Sequence, residues 1–123
     1  MIDVVLIDDH ALMRATIKEL LESCADIRVV GEAKDGTTGF QLVSSLLPTV
    51  VIVDVNIPGI DGVTLTRRLK TLMPNLSIIG MSAFLKDSTH QPMLDAGAYA
   101  CLDKQFLVEQ LVDTVRDSMK DPS

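Results

Sequence analysis

At 123 residues the chain has room for one hydrophobic core and not for two. Its formal net charge of -6 and pI near 4.7 weigh against direct nucleic-acid binding, which needs clustered Lys and Arg to neutralise phosphates, and suit protein partners instead. Hydrophobic residues make up 47% of the chain but only Phe40, Phe84, Phe106 and Tyr99 are aromatic, so the interior has to be aliphatic, as in a parallel sheet covered by helices.

The chain goes directly into an apolar strand-like run at Val4 to Ile7. From about Ala11 to Cys24, helical spacing places Leu12, Met13, Ile17, Leu20, Leu21 and Cys24 on one face. Ile27 to Val30 read as a second strand. Gly36 to about Leu47 read as a second helix with Phe40, Val43 and Leu47 inward, stopped by Pro48. Val50 to Asp54 is a short, continuous, β-branched run, the pattern of a strand buried on both faces, and it ends abruptly before Pro58 and Gly59. Asp61 is placed to cap a third helix with Leu65, Leu69 and Leu72 on its apolar face and Pro74 just beyond it. Ser77 to Met81 are the fourth strand. Because Pro92 is tolerated only in a first turn, the fourth helix is expected to begin no earlier than about Ser88, and Gly97 ends it. Ala98 to Leu102 are the fifth strand, and Leu107, Val108, Leu111, Val112, Val115 and Met119 mark a last helix. Residues 1–120 form one domain, with 121–123 a tail or the start of a linker.

Strands and helices alternating over short connections imply an α/β fold: a single doubly wound five-stranded parallel sheet, right-handed crossovers, and five flanking helices. The order 2-1-3-4-5 suits five strands and puts the switch point between the first and third. No apolar run approaches membrane-spanning length and no basic, cleavable leader precedes the first strand, so a cytoplasmic protein without a membrane partner is expected. Cys24 and Cys101 lie in different elements without metal-ligand spacing and read as small hydrophobes rather than a disulfide.

The polar groups at the strand ends carry the chemistry. The first strand ends in Asp8 and Asp9, the third in Asp54, the fourth in Ser82, and the fifth runs to Lys104. The second strand, on the outer edge, ends Val30-Gly31-Glu32 and is expected to supply no comparable group. Alone, Asp54 would read as a turn residue. A calcium loop is excluded because Pro58 offers no side-chain ligand, Leu65 stands where a bidentate Glu is needed and the preceding run is strand-like. Three carboxylates at ~4 Å repel one another by roughly 1 kcal/mol a pair in water and about 4 at an effective dielectric of 20. Lys104 answers part of that charge, and a hard divalent cation, Mg²⁺, suits the rest. His10 follows the acidic pair, but consecutive strand residues do not all face one ion, so it is assigned a structural role near the start of the first helix, and His90 a solvated place in a polar loop. The combination suits phosphoryl transfer, in which positioning and charge neutralisation matter most. Asp54 is the expected nucleophile, Asp8 and Asp9 the metal holders with the Asn56 backbone carbonyl, and Lys104 and Ser82 the receivers of phosphoryl oxygens.

Over its whole length the chain resembles the receiver domain of bacterial two-component response regulators, with the CheY-like, flavodoxin-type fold. The resemblance is carried by Asp8-Asp9, Asp54-x-Asn56-x-Pro58-Gly59-x-Asp61-Gly62, Ser82-Ala83, and Lys104 after Ala96-Gly97-Ala98. Asp8-Asp9-His10-Ala11-Leu12-x-Arg14 and Val29-Val30-Gly31-Glu32-Ala33-x-Asp35-Gly36 resemble its NarL/FixJ branch, whose members usually carry a C-terminal helix-turn-helix domain. The resemblance implies a phosphoacceptor rather than an enzyme: Asp54 takes a phosphoryl group from a sensor histidine kinase, Ser82 moves inward, and a partner or homodimer surface changes. Cys101 stands where the family usually has an aromatic, with Tyr99 two residues earlier, and Gln105 replaces the common proline. Cys101 motivates one alternative, a phosphorylation-independent interaction or dimerisation module. Another, an aspartate-based phosphatase, needs an acid where Asn56 stands.

Overall fold

The computed structural model describes residues 1–83 and 87–120, without the side chain of Asp87; Phe84 and the expected tail at 121–123 lie outside the described residues. Its elements are β1 (Ile2–Ile7), α1 (Ala11–Glu22), β2 (Ile27–Ala33), α2 (Gly36–Leu46), β3 (Val50–Asp54), α3 (Gly62–Leu72), β4 (Ser77–Ser82), α4 (Asp87–Ala96), β5 (Ala100–Asp103) and α5 (Leu107–Lys120), with a 3-10 turn at Lys104–Phe106 before α5. All strands pair in parallel in the order β2-β1-β3-β4-β5, the doubly wound order that the alternating pattern implies. Every residue of the central β3 is buried, which is why its sequence shows no polar alternation.

The pleat sends alternate residues of each strand into two cores. Val5, Ile7, Val51, Val53, Ile78 and Cys101 meet the layer of α2, α3 and α4, with Val43, Leu65, Leu69 and Met93 among its buried residues. Val4, Leu6, Val50, Ile52, Ile79 and Met81 meet α1 and α5 through Ile17, Leu21, Leu107, Leu111 and Val115. Fully burying side chains of this size contributes roughly 1.5–3 kcal/mol each.

Several side chains depart from the expected faces. Leu12 (82% exposed), Leu47, Leu72 and Val108 point to solvent, because the buried stripe on each helix is narrower than its apolar pattern. Leu47 closes α2 in the left-handed region at φ 49°, a conformation that costs a non-glycine residue about 1–2 kcal/mol. Helix α4 starts at Asp87, one residue earlier than the proline rule allowed, so Pro92 sits in its second turn. His90 is helical and half-buried rather than in a solvated loop. Strand β5 begins at Ala100, and Tyr99 precedes it at the amino-terminal rim, beside Pro48, Lys70 and Met119 in a cavity of about 900 Å³.

Candidate functional site

The carboxyl rim of the sheet collects the expected groups. Register aligns Ile7 with Val53, Asp54 with Met81 and Ser82 with Asp103, so the ends of β1, β3, β4 and β5 lie side by side. Asp8 and Asp54 are buried, at 0% and 2% exposure, whereas Asp9 is exposed. Lys104 Nζ donates to Asp54 Oδ2 at 2.8 Å and to Asp8 Oδ2 at 3.4 Å. The Asn56 N–H donates to Asp54 Oδ1 at 2.9 Å, folding the loop after β3 back over the carboxylate. Ser82 is buried at the end of β4. Burial alone would lower the Lys104 pKa, but the hydrogen bond and charge of Asp54, joined by Asp8, outweigh it and the ammonium is held above its ordinary value.

His10 is not where strand alternation placed it. It occupies the N-cap position of α1 without a side-chain cap, and its Nδ1 lies 3.0 Å from Asp8 Oδ1, 3.2 Å from Asp9 Oδ1 and 3.7 Å from Asp54 Oδ2. The reason is local: β1 ends at Ile7, and the Asp8 carboxylate accepts the His10 N–H at 2.9 Å in a turn that brings residues 8–10 to one side. One ligand atom from each of Asp8, Asp9, His10 and Asp54 lies within 4.8 Å of the others. Three hard carboxylates against one ammonium leave the cluster under-neutralised, and this oxygen-rich donor set fits Mg²⁺; the imidazole nitrogen is its one softer member.

The second strand contributes no residue to that cluster, but it is tied to the rim through a helix residue. Arg14 Nη1 donates to the Asp8 carbonyl at 2.7 Å, and Glu32 of β2 pairs with Arg14 Nε at 3.5 Å. No strand-end rule exposes this pair, because Arg14 arrives from a helix; the only signal was that both residues belong to the two branch motifs. Between α1 and α5, Leu12, Met13, Leu20, Leu107 and Val108 line an apolar groove of about 520 Å³ that also touches His10 and Lys104. Cys101 is buried against Gly80 and Met93, and burial pushes its thiol up to about 11. Tyr99, at the opposite rim, does not take the place of an aromatic beside Ser82.

A doubly wound sheet with an acidic, lysine-bearing carboxyl rim at its switch point defines a class of α/β domains that keep their binding site there. Comparison with known proteins makes that class specific. Residues 4–116 match the family described as the response regulator receiver domain. The chain is 35% identical over 120 residues to the transcriptional regulatory protein LiaR of Bacillus subtilis, covering 98% of this chain and 57% of LiaR. It is 33% identical over 116 residues to the response regulator GacA of Pseudomonas aeruginosa, covering 94% of this chain and 54% of GacA. Among solved structures it is similar to the receiver domain of the putative response regulator NarL from Mycobacterium tuberculosis, with a TM-score of 0.91, 29% identity, and coverage of 97% and 96% of the two chains. The chain belongs to the response regulator receiver domain family of two-component signalling. It spans about half the length of the curated relatives it matches, which agree with the NarL-type branch that the flanking motifs suggested.

Proposed function

We propose that Asp54 is the phosphoacceptor, with Asp8, Asp9, Asp54 and the Asn56 backbone carbonyl holding Mg²⁺ and with Lys104 and Ser82 receiving phosphoryl oxygens. The observation that carries this is the buried Asp54 carboxylate, gripped by Lys104 at 2.8 Å on one oxygen and by the Asn56 N–H at 2.9 Å on the other, beside a carboxylate pair. An Asp54 oxygen attacks the phosphorus of a kinase phosphohistidine; the P–N bond breaks, a P–O bond forms, and the imidazole leaves with the electron pair and takes up a proton. Bound Mg²⁺ supplies charge neutralisation of the transferring oxygens. Lys104 keeps its proton through the step, since its partners hold its pKa above the ordinary value. The domain thus takes part as a phosphoacceptor with slow self-dephosphorylation, not as a turnover enzyme.

Its donor is a sensor histidine kinase, and the apolar groove adjoining His10 and Lys104 supports a protein approaching from the α1 and α5 side. LiaR, named as a transcriptional regulatory protein, and the response regulator GacA, each about twice this length, support an output through a helix-turn-helix domain and a phosphorylation-dependent homodimer in the cytoplasm. No described helix is long and apolar enough to cross a membrane. The assembled carboxylates and lysine weigh against the phosphorylation-independent alternative. The test is intact mass after acetyl phosphate and Mg²⁺. One phosphoryl group is expected on the wild type and none on Asp54→Asn; an adduct that persists in the variant places the nucleophile elsewhere.

A further inference from the structure

We infer that Arg14, oriented by Glu32, is a positioning residue for this pocket: it fixes the main chain of Asp8 and thereby aims the Asp8-Asp9 carboxylate pair. The inference rests on the reading of the pocket as a Mg²⁺ and phosphoryl site. Asp8 stands where β1 leaves the sheet, and its backbone has lost the regular ladder. Ala33 of β2 and Arg14 of α1 hold that backbone instead. The Asp8 N–H donates to the Ala33 carbonyl at 3.0 Å, and the Asp8 carbonyl accepts from Arg14 Nη1 at 2.7 Å. Arg14 reaches it from the first turns of α1 with a largely buried side chain, 21% exposed. Its Nε is buried and, among the described residues, makes no hydrogen bond; Glu32 Oε1 answers the charge at 3.5 Å, and Lys18 holds the other Glu32 oxygen at 3.7 Å.

The division of labour is chemical. A guanidinium beside a cation site would repel the cation if left uncompensated. Here it spends its hydrogen bond on a neutral carbonyl, and Glu32 offsets its charge, so the planar fork bridges two partners without drawing on the Asp8 and Asp9 carboxylates. Outer-shell groups of this kind are part of a metal site because they orient the ligands. The two motifs around Arg14 and Glu32 meet in space through this one bridge.

The two roles open to Arg14 have opposite signs. If it acts only as a nearby positive charge, removing it tightens Mg²⁺ binding; if it positions Asp8, removing it weakens binding. In the full chain, the half-saturating Mg²⁺ concentration is measured by calorimetry and from acetyl-phosphate labelling rates. Arg14→Met should raise it roughly tenfold while the labelling rate at saturating Mg²⁺ stays close to that of the wild type. Arg14→Lys should fail to rescue it, because a single ammonium does not bridge carbonyl and carboxylate in a fixed fork. Glu32→Gln, which leaves the cation uncompensated, should move it in the same direction. In the metal-free protein, amide exchange at Asp8 and His10 should quicken in Arg14→Met more than at Ile52. Unchanged or tighter Mg²⁺ binding in Arg14→Met, or full rescue by lysine, overturns the inference. If the wild type itself takes up no phosphoryl group, the Asp54 reading fails instead, and the metal-free exchange rates still decide the role of Arg14.

Discussion

Lys104 shows how one residue is set by its surroundings. It is 12% exposed between two buried carboxylates, where burial opposes its charge and the partners more than restore it. Its pKa is therefore raised in the folded state above the ordinary 10.5. A raised folded value means that its contribution to stability is complete below the unfolded pKa and is lost as pH rises through the folded pKa. Urea denaturation of wild type and Lys104→Met, without divalent ions, should show the wild type ahead at neutral pH and the gap closing above pH 10.5. A gap that stays constant across that range would mean that the ion pair contributes nothing. The rim positions of the lysine, the three aspartates and the serine were legible because each stands at or just past the end of a strand whose apolar run marks its limits. His10 was not, because the turn that follows β1 is made by a side-chain hydrogen bond, and the alternation rule stops at Ile7.

The start of α3 was legible from a single residue. Asp61 caps α3 by accepting the Thr64 N–H at 3.0 Å, and Asp35 caps α2 by accepting the Thr38 N–H at 2.7 Å. Gly97 follows α4 at φ 115°, a conformation open to glycine, so its role as a stop was also readable. The Thr64 backbone hydrogen bond holds the Asp61 carboxyl below its ordinary 3.8, so the cap's contribution is present above that value and lost as pH falls through the folded pKa. Asp61→Ala should cost about 1 kcal/mol at neutral pH by chemical denaturation, and Asp61→Asn should recover most of it. The acid-sensitive part should vanish in both; an Asn variant as weak as Ala would show that the cap hydrogen bond is not what starts α3. Helix faces were less legible. The face of α5 uses Leu107, Leu111, Val115 and Ser118, and Val108 stays exposed because α1 leaves an open groove there instead of closing over it. A neighbour's spacing is a tertiary fact that periodicity within one helix does not contain.

At the scale of the whole molecule, strand order and helix layers followed from alternation and handedness, while the contacts that tie one layer to the rim did not. The clearest of these is between α2 and the loop carrying Asn56. The Gly36 N–H donates to the Pro58 carbonyl at 3.1 Å, and a Cβ on Gly36 would fall on the Ile60 carbonyl oxygen and 2.9 Å from Ile60 Cβ. Two effects then compete in Gly36→Ala. Alanine favours a helix over glycine by about 1 kcal/mol at most, and less in the first turn. Forcing a methyl group against backbone costs typically about 1–3 kcal/mol, and a carbonyl in a hydrogen-bonded loop yields less readily than a side-chain tip. The steric term wins, so the variant should lose stability by urea denaturation. Because that loop also aims the Asn56 N–H at Asp54, the shift should travel to the site and slow acetyl-phosphate labelling at limiting Mg²⁺. Lost stability with labelling unchanged would show that the helix layer and the rim are mechanically independent, and that the α2 contact serves folding alone.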